Sequence, residues 1–216
     1  MPQRPPTSDA DIPLWLRLGW SVLLCVLVPV YWRHYGPANF LWFSDVALFQ
    51  SAAALWLGGR PVGRHRPGPL LASMAAVGVL IPELAWNLDL LTHLLSGHEL
   101  FGLARYMFNP TYPLYLRLLS LFHVPLPLLL LWLVRRLGYD RRALVAQTVL
   151  AWVIYLLIYA VKPSENIDWA FGLRESQRSA VHPLLHLAGI MLGYPLVVHV
   201  PTHLVLRKLF PPPGTS

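Results

Sequence analysis

Asp45, Glu83, Asp89, His93, Arg117, His123, His182, His186, His199 and His203 all lie inside long apolar stretches of a 216-residue chain. An ionisable group at membrane depth costs about 2.5–3.5 kcal/mol on insertion scales, so such groups persist where they bind or move something, or where they are paired. Asp89 and His93 are four residues apart, as are Glu83 and Asn87. On one helix these residues, with Trp86 between them, make a single broad polar face. That face cannot meet lipid and must look into a bundle interior or a water-filled cavity. His182 with His186, and His199 with His203, repeat the four-residue spacing. Two imidazoles so placed can grip one metal or stand on one side of a haem, and His93 with Asp89 could complete a tetrahedral zinc set.

A structural role stands beside each functional one. Asp89 and Arg117 could form a buried ion pair that fixes helix packing. His199 and His203, just before Arg207 and Lys208, could snorkel toward the headgroups. His182 and His186 could be a hydrogen-bonded pair at a helix start, with Pro183 tolerated in the first turn. His34, His65 and His98 read as interfacial residues.

The elements that must carry these groups follow from composition. The chain is 56% hydrophobic and 12% charged, with mean hydropathy +0.50; a soluble domain is about 25% charged. Disorder and a separate soluble domain are excluded on the same grounds. The fold class is all-α, a polytopic membrane helix bundle forming one integral membrane domain over 1–216. Six spans are predicted at about 14–31, 40–57, 69–95, 114–134, 143–161 and 182–206, after a disordered tail over 1–13 and before a C-terminal tail over 207–216. Gly58-Gly59 and Gly97 mark helix stops. The first span reads as a retained helix, since Arg17 lies in its first turn and no small-x-small cleavage site follows. Pro195 and Pro201 each remove a backbone donor, which leaves the sixth span open between one kinked rod and two half-helices. Cys25 is the only cysteine, so a disulfide framework is excluded.

The net charge of +7 reads as loop charge facing the cytoplasm, not as nucleic-acid binding. Even loops and the C-terminus hold Arg60, Arg64, Arg66, Arg135, Arg136, Arg141, Arg142, Arg207 and Lys208. Odd loops hold Arg33, Arg105, Lys162, Arg174 and Arg178, offset by Glu99, Glu165, Asp168 and Glu175. Both termini are therefore expected in the cytoplasm. This orientation puts Asp45, Asp89, His93, Arg117, His123, His182 and His186 in the outer half and His199 and His203 in the inner half. Trp32, Trp42, Tyr112, Tyr115 and Trp169 would form an outer aromatic belt, with Trp56, Trp132 and Tyr139 at the inner interface. The third loop, GHELFGLARYMFNPTYP, and the fifth, KPSENIDWAFGLRESQRSAV, could roof a pocket over the outer cluster. The sequence contains no phosphate-cradling Gly-rich loop, GxSxG, HExxH or paired CxxC.

The strings FLWFSDVALF (40–49), PELAWNLDLL (82–91), YMFNP (106–110), LSLFHVPLPLLLLWLVRRLGYDRRAL (119–144) and NIDWAFG (166–172) resemble a family of small bacterial integral membrane proteins to which no activity is attached. The likeness covers spans two to five and the fifth loop, about two-thirds of the chain. It implies a bacterial inner-membrane protein and adds weight to Asp45, Glu83, Asn87, Asp89, His123, Asn166 and Asp168. His182-Pro-Leu-Leu-His186 is similar in type to the last-helix HxxxH of the alkaline ceramidases and adiponectin receptors, which use an intramembrane zinc. Those proteins have seven spans, and their Ser-x3-His with a downstream Asp is not found here.

The leading expectation is a non-enzymatic multipass inner-membrane protein that binds or conducts a small ligand, ion or lipid through Asp45, Glu83, Asn87, Asp89, Arg117 and His123. One alternative is a zinc-dependent intramembrane lipid hydrolase, with His93, His182 and His186 as ligands and Asp89 as an outer-shell group or base. Another is a bis-His haem electron carrier. The lipid bilayer is the only partner the sequence specifies.

Overall fold

A computed structural model describes residues 12–58, 60–62, 66–161, 166–172 and 181–210. The tail 1–11 and Gly59, Arg64, His65, Lys162, Glu165, Arg174, Glu175 and Arg178 lie outside the described residues. The chain is a helical bundle without strands among the described residues. Its helices are α1 (Leu14–Tyr35), α2 (Phe43–Leu57), α3 (Pro67–Ser96), α4 (Leu114–Leu119), α5 (Pro125–Leu137), α6 (Ala143–Val161), α7 (Pro183–Tyr194) and α8 (Val200–Leu209). Short 3₁₀ turns precede α2 (Pro37–Leu41) and join α4 to α5 (Ser120–His123).

Among the described residues five segments are long and apolar enough to cross a membrane: Leu14–Tyr35, Pro67–Ser96, Leu114–Leu137, Ala143–Val161 and Pro183–Leu209. The protein is a multipass membrane protein. The second expected span is shorter than predicted, because its first residues form the 3₁₀ turn and only the 15 residues of α2 are α-helical.

α3 is the central helix, with 61% of its most apolar stretch inside the protein against 17% for α1. Ala72, Ala76, Val79, Glu83, Trp86 and Leu90, spaced alternately by four and three, are all buried. Leu84, Leu88, Leu91 and Leu95 form the exposed stripe on its other side. Small residues at the start of α3, Gly68, Ala72, Ser73, Ala75, Ala76 and Gly78, let neighbouring backbones approach closely, as membrane helix packing requires.

Three prolines shape the bundle through the carbonyls they leave without a donor. Proline cannot donate to the carbonyl four residues earlier, and in lipid that carbonyl needs another partner. Pro82 frees Gly78 O, which accepts from the Tyr194 hydroxyl at 2.9 Å. Pro127 frees His123 O, which accepts from Asn87 Nδ2 at 2.8 Å. Pro195 frees Met191 O, which accepts from Trp152 Nε1 at 2.7 Å. Each freed carbonyl is thereby tied to a different helix.

The sixth span is continuous, not two half-helices. A π-helical turn over Pro195–His199 absorbs Pro195, with the Val200 N–H reaching Pro195 O, as single π turns inside helices do. It turns His199 fully inward, where Nδ1 meets Thr148 Oγ1 at 3.0 Å. His203 is also buried, with its Nδ1 2.6 Å from the Tyr139 hydroxyl. Neither histidine snorkels to the headgroups, because polar partners on neighbouring elements hold both inside. Tyr139 is likewise buried and not part of an aromatic belt.

The side chain of Gln147 on α6 packs directly against Gly78 of α3. A Cβ there would lie 2.5 Å from Gln147 Nε2, whose Oε1 accepts from Gln50 Nε2 at 3.1 Å. Gly78→Ala is expected to push that amide away and unpair two buried glutamines. The cost, about 1–3 kcal/mol for each unsatisfied group, exceeds the roughly 1 kcal/mol helix-propensity gain of alanine over glycine. A lowered thermal midpoint in detergent is the expected reading; an unchanged or raised one would show that Gln147 finds equivalent partners.

Candidate functional site

A cavity of about 580 Å³ opens at the end of the bundle where α1 ends and α2 begins. Its walls come from α1, α2, α3 and the 120–123 turn, and both long loops contribute to its roof through Gly102, Leu103, Tyr106 and Tyr112, and through Asn166, Asp168 and Trp169. Trp42, Tyr112 and Trp169 line this cavity, whereas Trp32 and Tyr115 are exposed.

Glu83 and His123 form its central pair. His123 Nδ1 lies 3.0 and 2.9 Å from the two carboxylate oxygens of Glu83. The imidazole stacks on Trp86 at 4.6 Å between centroids and on Phe122 at 4.2 Å, which fixes its plane. Asn87 does not line the cavity; its Nδ2 donates to the carbonyls of Glu83 and His123, both at 2.8 Å. It thus clamps the α3 turn to the 120–123 turn and holds the pair in register.

Asp45, in the first turn of α2, is 3% exposed. Its Oδ2 accepts from Asn39 Nδ2 at 3.1 Å, and its Oδ1 has no hydrogen-bond partner among the described residues. Asp168 comes from the fifth loop, where it and Trp169 both take left-handed backbone angles, φ 46° and 57°. Such angles cost non-glycine residues energy and cluster at functional sites. Asp168 Oδ2 accepts from the Phe43 N–H at 3.0 Å, so the loop caps a helix start that has no side-chain cap of its own. Burial pushes the Asp168 carboxyl well above the usual carboxylate range; the Phe43 N–H opposes this and the nearby Asp45 adds to it. Asn166 closes the same loop, donating to Gly172 O at 2.6 Å and accepting from Phe171 N at 2.8 Å.

Five more predicted site residues stand elsewhere. Asp89 and Arg117 form no ion pair: Asp89 accepts from the N–H groups of Leu100, Phe101, Gly102 and Ala104 at 2.8–3.3 Å, and Arg117 Nη1 donates to Met107 O at 3.0 Å. Both hold the third loop instead of lining the cavity. Gly102, at φ 76°, gives the loop the turn that brings these amides onto one carboxylate. His93 stacks on Phe108 at 3.7 Å. His186 Nε2 meets Trp169 O at 2.9 Å, and His182 is exposed at the start of α7. His93, His182 and His186 therefore do not converge, and no group of three metal-ligating side chains forms among the described residues. A haem iron on His186 would have to displace the Trp169 carbonyl.

The sequence reading left out of its site Asn39, Tyr106, Tyr194 and Asp168, although the last lies in a string the family resemblance emphasised. The available signal was a loop acid flanked by aromatics on the same side of the bundle as Asp45. Comparison with protein-family models, curated proteins and solved structures finds no match to the chain.

Proposed function

We propose that this is a non-enzymatic membrane protein of the bacterial inner membrane that binds a small ligand in the cavity around Glu83, His123, Asp45 and Asp168. The reading rests on one observation: a cavity in the 300–1,000 Å³ range of small-ligand sites converges on buried ionisable groups, one of which, Asp45, keeps an unpartnered carboxylate oxygen. Arg60, Arg66, Arg135, Arg136, Arg141, Arg142, Arg207 and Lys208 sit at or beyond the opposite helix ends. The positive-inside rule then puts both termini in the cytoplasm and opens the cavity outward. No observation favours a zinc hydrolase or a haem carrier, since the histidines they need are separated or already engaged.

Labelling a cysteine at Ser44, which lines the cavity, tests this reading in a Cys25→Ala background. A membrane-impermeant thiol reagent added outside intact cells is expected to modify Ser44→Cys and a control in the exposed third loop, His98→Cys. A control that reacts beside an inert Ser44→Cys would show that the cavity is closed; a control that reacts only after the membrane is opened would reverse the orientation.

A further inference from the structure

We propose that the cavity takes an organic ammonium ion, an inference that rests on its being a ligand site. Among the described residues three carboxyl side chains line it, Asp45, Glu83 and Asp168, and no lysine or arginine does. His123, the one basic group among the described lining residues, is already held by Glu83. An anion would meet no free cation there among the described residues, and the Asp45 carboxyl would face it. One Asp45 oxygen is a buried acceptor with no hydrogen-bond partner among the described residues, in a cavity-lining residue that is 3% exposed.

Ten of the lining residues are tryptophan, tyrosine or phenylalanine. The negative faces of such rings attract ammonium groups, most strongly when the site is desolvated. A bare metal ion is the wrong size: it needs several oxygens at about 2.0–2.6 Å, whereas this space is about 580 Å³ and no three ligating groups converge among the described residues. Carboxylates spread through a wide aromatic chamber suit a large, weakly hydrated cation. Such a group could arrive as a free amine or as the headgroup of an ethanolamine or choline lipid.

The same Ser44→Cys protein separates this inference from the one beneath it. Its reaction rates with a trimethylammonium-ethyl and a sulfonatoethyl thiosulfonate are compared, each divided by the rate at His98→Cys. The cationic reagent is expected to be favoured at least tenfold, and Asp45→Asn to lower that preference severalfold. Reaction with neither reagent removes the cavity reading and this inference together. Reaction with both without cationic preference removes this inference alone.

Protection identifies the source. Slowing by tetramethylammonium in phosphatidylglycerol vesicles points to a free amine. Slowing in phosphatidylethanolamine vesicles without additive points to a headgroup. No slowing in either overturns the inference. Should the cysteine variants not fold, the wild-type melting midpoint in phosphatidylglycerol vesicles decides: tetramethylammonium chloride should raise it above equimolar sodium chloride, and equal midpoints overturn the inference.

Discussion

Replacing Asp89 by alanine is expected to cost about 3 kcal/mol or more and to open the third loop. Its carboxylate takes three backbone N–H groups on Oδ1 and one on Oδ2. Hydrogen bonds to a charged partner are each worth about 1.5–3 kcal/mol, and without them the loop amides must turn to solvent. Gly102 and Leu103, which belong to the cavity roof, would move with them. The expected readout is a lower melting midpoint together with new protease cleavage between residues 98 and 105. Asp89→Asn keeps the oxygen that serves three of the four donors and should lose only about half as much. Equal losses for Ala and Asn would show that charge, not the count of acceptors, holds the loop.

Breaking the Glu83–His123 pair is the second large effect. Glu83→Ala leaves a buried imidazole nitrogen without its carboxylate, and His123→Ala leaves a buried carboxylate. Removing one member of a buried pair typically costs about 3–5 kcal/mol. The double variant Glu83→Gln/His123→Phe tests whether that cost belongs to the pair: phenylalanine can keep the stack on Trp86 and Phe122 while the carboxylate and the imidazole both go. It is expected to be more stable than the sum of its single variants by about 1.5–3 kcal/mol in a double-mutant cycle. Additive losses would mean that the two side chains act independently.

What sequence could show depends on whether the deciding partner is near in the chain. α6 spans Ala143–Val161, the same limits that hydropathy predicts, because it is apolar apart from Gln147 and Thr148 and free of proline. The continuity of the sixth span is not legible in the sequence, because the donor that meets the carbonyl freed by Pro195, Trp152, lies 39 residues before Met191. The polar face of α3 was legible in the spacing of Glu83, Asn87 and Asp89, but its division of labour was not. Glu83 meets a side chain on another element, Asn87 bridges two carbonyls, and Asp89 gathers main-chain amides of a loop. Backbone donors carry no letter in a sequence. The histidine pairs misled for a related reason: four-residue spacing aligns two imidazoles on a helix, yet it cannot say that a carbonyl or a phenol already occupies them.

The shortness of α2 bears on how the protein enters its membrane. At about 1.5 Å per residue, its 15 residues cover about 22 Å of a hydrocarbon core near 30 Å. The rest of that depth is a 3₁₀ turn and the extended Trp42, irregular backbone that lipid does not tolerate unless protein or water surrounds it. Alone in a translocon, Phe43–Leu57 with Asp45 in its first turn is a weak insertion signal. α3, which follows after a short connection, supplies both the length and the buried surface that α2 lacks. The two helices therefore suit release into the bilayer as one hairpin, so that the cavity wall they share is shaped during synthesis.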